Sequence, residues 1–144
     1  MNWSTVNSAG SMPRPKVLYV DDEPFSGVLF KLHLNTSFDI ISATSGEAGL
    51  RWLNRLRHLP SIVLCELYMT KMDGIEFVRR GKFLLPRISF FLTSSSPLNE
   101  DVLELLNEST IEGFYHKPFN HEFIKERLLK ASQESVQYLK STAH

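Results

Sequence analysis

The chain has 144 residues and one cysteine, Cys65, so no disulfide can form within it, and a reducing compartment is the default expectation. It has no apolar run near the roughly 20 residues that cross a bilayer. The first fifteen residues lack the apolar core of a secretion signal. Lysine plus arginine equals aspartate plus glutamate, at 16 each, so no surplus charge points to nucleic acid or an anionic membrane. There is no GxGxxG and no Walker loop, which argues against the common nucleotide folds. A cytoplasmic protein without direct nucleic-acid or membrane contact is expected.

What is present is an ordinary globular mixture, 42% hydrophobic and 22% charged, of a length that suits one domain. Residues 1–15 are rich in Ser, Asn, Gly and Pro and read as a disordered lead-in. Residues 132–144 lose their apolar period and read as a helix end or frayed tail. The folded domain is expected over 16–131.

Two kinds of segment alternate within those bounds. Val17–Val20, Asp39–Ala43, Ser61–Cys65, Ile88–Leu92 and Ile111–Tyr115 are short runs dominated by apolar residues, the mark of strands covered on both faces. Between them lie helical periods. Phe25, Val28, Leu29 and Leu32 share one predicted face, as do Gly49, Trp52, Leu53 and Leu56. Leu98, Val102, Leu105 and Leu106 approximate that spacing, as do Phe119, Phe123, Ile124 and Leu128, and a shorter helix is expected around Ile75 to Arg80. Pro24 suits a first helical turn, and Thr44 with Glu47 has capping-box spacing. The result is a (βα)5 pattern, which right-handed crossovers wind into a doubly wound parallel α/β sheet of order 2-1-3-4-5.

In such a sheet, sites form beyond the carboxyl ends of the strands. Asp21, Asp22 and Glu23 follow the first run, Thr44 and Ser45 the second, Glu66 the third, Thr93 to Ser96 the fourth, and His116, Lys117 and Pro118 the fifth. With the first and third strands adjacent, Asp21, Asp22 and Glu66 share one pocket. Carboxylates that close repel unless a cation or proton offsets them, and Mg2+ suits an oxygen-lined site. Lys117 and Thr93 add an ammonium and a hydroxyl that could receive an oxyanion such as a phosphoryl group. Each residue also has a bland reading. The acidic run can simply cap a helix, Thr93 and its serines can form a loop, and Lys117 can be a surface lysine. Cys65 reads as inert core, and His33, His116 and His121 lack metal-ligand spacing. Convergence of four strand ends outweighs these.

Val17-Leu-Tyr-Val-Asp-Asp-Glu-Pro24, the stretch from Ile62 through Glu66 to Asp73-Gly74, Phe91-Leu-Thr93 and Gly113-Phe-Tyr-His-Lys-Pro-Phe119 stand in order at matching spacing. Together they resemble the receiver domain of two-component response regulators, a flavodoxin-like fold, over about Lys16 to Lys130. The resemblance implies a phosphorelay signalling module rather than an enzyme. It implies Mg2+ held by Asp21, Asp22, the position of Glu66 and the carbonyl of Tyr68. It implies Thr93 as the switch hydroxyl, Phe114 at the aromatic switch position, and Lys117 as the phosphoryl-pairing lysine, joined to Pro118 by a cis peptide. Implied partners are a sensor histidine kinase, a phosphotransfer protein or a downstream signalling protein. A homodimer is also implied, through the face of the fourth helix, fifth strand and fifth helix. No DNA-binding module follows the domain, so output is expected through another protein or a domain outside this chain.

Two positions depart from the family pattern. Glu66 stands where the family has its phosphoacceptor aspartate, and Thr70 stands where it has proline. Glutamate moves the carboxylate outward by roughly one C–C bond, ~1.5 Å, and a shift of that order can cost ~100-fold in phosphoryl transfer. The longer carboxylate is expected to reach toward Thr93 and Lys117 as a partial stand-in for a phosphoryl group. Three candidate functions result: a receiver-type module not switched by ordinary phosphorylation, a working phospho-accepting regulator using Mg2+, and a small-molecule or flavin carrier on the same fold.

Overall fold

A computed structural model describes residues 14–56 and 61–141. Of the expected lead-in, residues 1–13 lie outside the described residues, as do 142–144 at the other end. Strands β1 (Lys16–Val20), β2 (Asp39–Ala43), β3 (Ser61–Glu66), β4 (Ser89–Ser94) and β5 (Gly113–His116) alternate with five helices. These are α1 (Pro24–Leu34), α2 (Gly46–Leu56), α3 (Gly74–Leu84), α4 (Glu100–Asn107) and α5 (His121–Ser141). All strand pairs are parallel and the order is β2-β1-β3-β4-β5, as the alternating pattern predicts.

Side chains alternate across a strand, so each run feeds two cores. Leu18, Val20, Val63, Cys65, Phe90 and Leu92 meet Leu53, Leu56, Phe77, Val102 and Leu105 from α2, α3 and α4. Val17, Tyr19, Ile62, Leu64 and Phe91 meet Phe30, Leu34, Ile124 and Leu128 from α1 and α5. At ~25 cal/mol per Å2, this two-sided burial is the main driving force for the sheet.

Several sequence expectations need correction, and among them Leu98 and Phe119 precede α4 and α5 rather than lying in them. The predicted inner face of α1 is turned outward: Phe25 is 61% exposed, Val28 51%, Leu29 40% and Leu32 68%. The helix is apolar on more than one side, and the sheet takes Gly27, Phe30 and Leu34 instead. A side-chain carbon at Gly27 would stand 3.1 Å from Ser42 Cβ, so glycine is what lets α1 come this near β2. The cap of α2 is Ser45 rather than Thr44: Ser45 Oγ accepts from Ala48 N at 3.0 Å. The third helix runs over Gly74–Leu84, longer than Ile75 to Arg80, and Asp73 caps its start by accepting from Glu76 N at 2.9 Å. At Pro24 the first turn of α1 begins as its sequence suggests, with Glu23 as the N-cap.

Candidate functional site

Strand alternation carries the α1–α5 side of the sheet through to its carboxyl edge. Tyr19 and Asp21 share a parity, as do Leu64 and Glu66, and Phe91 and Thr93. Glu66 and Thr93 are register partners across β3 and β4. The edge therefore gathers these groups at one end of one face.

Lys117 ties the gathering together. Its Nζ donates to Asp21 Oδ2 and to Glu66 Oε1, each at 2.7 Å. Both carboxylates are buried, so a charge partner offsets their loss of hydration. Burial alone would lower the Lys117 ammonium. The hydrogen bonds and charges of Asp21 and Glu66 outweigh it and hold the group above its ordinary value. The other donors are neutral. Glu23 N donates to Asp21 Oδ1 at 3.0 Å, and Tyr68 N donates to Glu66 Oε2 at 3.2 Å. Gly74 closes the same loop. A side-chain carbon there would meet the Glu66 carbonyl oxygen at 2.5 Å, so the chain can return under β3 only with glycine.

Other site residues stand nearby in different company. Asp22 accepts from Thr70 across the gap between the loops after β1 and β3. Thr93 is fully buried, but its hydroxyl donates to the carbonyl of Tyr115 at 2.8 Å rather than to Glu66. Phe114 is partly buried against the α2–α3–α4 core. The Lys117–Pro118 peptide is cis. Tyr68 is 56% exposed, and its hydroxyl accepts from Asn99 Nδ2 at 3.3 Å.

Sequence reasoning overlooked three features. Tyr19, read as strand core, donates its hydroxyl to Asp21 Oδ2 at 3.2 Å while its ring stacks on Phe30 at 4.5 Å. Burial, then the charge and hydrogen bond of Asp21, push its phenol well above the ordinary range. A tyrosine two residues before an acidic position on the same strand face was the available signal. Thr70, noted only as a departure from the family's proline, meets Asp22. His33 stacks on His121 at 3.7 Å, joining α1 to the start of α5; nothing local in sequence pairs them. Beside Lys117, a cavity of about 400 Å3 opens between these helices, with Tyr19, Leu29, Phe30, His33 and Phe119 in its wall.

Comparison with known proteins gives a consistent picture. The sequence profile of the response regulator receiver domain matches residues 17–129. The response regulator protein VraR of Staphylococcus saprophyticus is 29% identical over 123 residues, which are 84% of this chain and 58% of VraR. The chain thus spans less than two thirds of that relative's length. A CheY-like response regulator receiver domain protein from Methanospirillum hungatei superposes with a TM-score of 0.73 at 24% identity, covering 85% of this chain and 98% of the other. The receiver domain of an HD domain-containing protein from Pseudomonas fluorescens superposes with a TM-score of 0.80 at 20% identity, covering 94% and 98%.

Proposed function

Because the chain belongs to the response regulator receiver domain family, we propose that it is a two-component signalling module that works through protein–protein contact and is not switched by ordinary phosphorylation. Receiver domains interact with histidine kinases and phosphotransfer proteins and are signalling modules rather than enzymes. The specific reading rests on one observation: the Glu66 carboxylate spans to Lys117 and to the Tyr68 amide, while the Thr93 hydroxyl is engaged with Tyr115. The acceptor-position oxygens are thereby held by the protein's own donors. The switch hydroxyl is not drawn to them, so the charge of Glu66 imitates a phosphoryl group toward Lys117 alone.

Receiver domains generally bind Mg2+ at the phosphorylation site. Here the donor set is right in kind, three carboxylates and a carbonyl, but the arrangement does not fit the ion. Asp21 and Glu66 each have both oxygens engaged by internal donors. Among the described residues, no group of three His, Cys, Asp or Glu side chains is placed to hold a metal. No step is therefore assigned to Mg2+. The absence of a helix long and apolar enough to cross a membrane among the described residues is compatible with action in the cytoplasm. The exposed faces of α4, β5 and α5 are the natural place for a partner or a second copy.

The test is incubation with acetyl phosphate and Mg2+ followed by intact-mass and peptide analysis. The wild-type chain should stay unlabelled, and Glu66→Asp should gain a phosphoryl adduct. Stoichiometric labelling of Glu66 would overturn the reading in favour of a working phospho-acceptor.

A further inference from the structure

Helix α1 is apolar on two sides, and its own sheet uses one of them. Gly27, Phe30 and Leu34 go inward. On the opposite side Phe25, Val28, Leu29 and Leu32 form a second ridge, between 40% and 68% exposed. Single apolar side chains on a surface need no explanation. Four on one helix at i, i+3, i+4 and i+7 make a contiguous stripe, of the kind by which one helix packs on another.

Two features of the stripe say what covers it. The first is spacing. Its intervals of three, one and three residues read the same in both directions. A second copy of the helix laid antiparallel therefore sets Phe25 against Leu32 and Val28 against Leu29, twice over, as a two-fold axis requires. The second feature is charge. Glu23 stands exposed at the amino end of α1, where it accepts from Ser26 N. Lys31 stands exposed in the last turn, and Arg14 donates to Asn35 O just beyond it. Among the described residues neither Glu23 nor Lys31 makes an ion pair. Antiparallel pairing brings the acidic end of each helix to the basic end of the other and opposes the two macrodipoles.

We infer that the outer ridge of α1 is a self-association surface, on which two copies of this chain pair through antiparallel α1 helices about an axis between Val28 and Leu29. The occupant is a second copy because both complementary halves of the contact lie on one helix. The face of α4, β5 and α5 is then left for a different protein. A contact of one helix per copy falls at the low end of specific interfaces, so the dimer dissociates on the order of 100 µM. The inference does not depend on how Glu66 is used.

The experiment is sedimentation equilibrium of the full chain from about 10 µM to about 1 mM, with 1H–15N NMR over the same range. Dimer should accumulate with concentration, and the amide shifts that follow it should map to Phe25–Leu32. Val28→Glu places two carboxylates side by side at the axis and should weaken association more than about 30-fold. Phe25→Ala should weaken it about tenfold. Lys31→Glu sets two acids together at each end and should weaken it about threefold. All three side chains are exposed, so unfolding midpoints should hold. Should Val28→Glu not fold, the other two variants decide. Direction is read by mild oxidation of a mixture of Phe25→Cys and Leu32→Cys chains, which should cross-link better than either alone, since the native Cys65 is buried. A chain monomeric at the highest concentration overturns the inference. So does a dimer that the α1 variants leave intact, a set of shifts on α4, β5 and α5 instead, or better cross-linking of one cysteine variant alone. None of these outcomes alters the phosphorylation test, and labelling of Glu66 would leave the α1 dimer standing.

Discussion

On one face of the sheet, α2, α3 and α4 lay Leu53, Phe77, Val102 and Leu105 over Leu18, Val20, Val63 and Leu92, all of them buried. On the other face, α1 and α5 lay Phe30, Leu34, Ile124 and Leu128 over Tyr19, Leu64 and Phe91. The first face is the larger apolar core, with Cys65 and Met72 among its buried side chains. The second is a smaller core with polar handles: a buried phenol bonded to Asp21, a stacked histidine pair, and a cavity beside Lys117. Both faces leave large apolar side chains in solvent: Phe25, Val28, Leu29 and Leu32 of α1 here, and Phe83, Leu84 and Leu103 of α3 and α4 on the other. The pocket opens at the end of this second face. A domain of two cores can keep one for stability and place the chemistry over the other.

The largest tests of that contrast remove one anchor from each face. Phe30→Ala should cost about 4 kcal/mol and Leu53→Ala about 3 kcal/mol in urea unfolding. A Phe30→Ala cost below about 1 kcal/mol would mean that α1 is not docked by its ring, and the two faces would lose their symmetry of support. Lys117→Met comes next. It leaves two buried carboxylates sharing no cation and should cost about 2–3 kcal/mol. The same change should leave the α2–α3–α4 side chains undisturbed by NMR. A loss spread evenly over both faces would count against their independence.

Mild acid should act on the second face through His121. Burial, and then the neighbouring His33, hold His121 below the ordinary imidazole value. A histidine whose folded value is depressed contributes no penalty above its unfolded value and destabilises as pH falls through the range just below it. Unfolding midpoints measured from about pH 7.5 down to about pH 5.5 should therefore drop, and His121→Phe should flatten that drop. An equal slope in the variant would clear the histidine pair of any part in it. The smallest effect separates two leucines of one helix. Leu32→Ala should change stability by no more than about 0.5 kcal/mol, whereas Leu34→Ala, two residues on and 2% exposed, should cost about 3 kcal/mol.

Much of the fold was legible. Five apolar runs, each bounded by turn chemistry, specified five strands, of which the edge strand β5 is only partly buried, and the doubly wound pattern favoured the order that is observed. The face of α1 was not legible, because a helix apolar on several sides gives more than one ridge at helical spacing. Gly27, the residue that decides the choice, registers as nothing on an apolar scale. Thr44 and Ser45 were both eligible caps one residue apart, and in the structure Ser45 is the one that accepts from Ala48 N. The members of the pocket could be read from the residues at the carboxyl end of each strand. Their partners could not, since Lys117 and Asp21 lie 96 residues apart and Asp22 and Thr70 lie 48 apart.

Sequence by itself determined the chemical inventory at the sheet edge: two aspartates, a glutamate one methylene longer than aspartate, a hydroxyl, a lysine, and a threonine where proline would have had no N–H to give. Those are covalent facts that no packing can alter. Tertiary structure decided how the inventory is used. It turned Lys117 between Asp21 and Glu66, sent the Thr93 hydroxyl to Tyr115, brought Thr70 to Asp22 and set Tyr19 under Asp21. The reason is physical. Periodicity reports which side of a local element is apolar, whereas hydrogen bonds between distant loops depend on strand register and on the close approach of helices. That approach is set by the whole sheet at once.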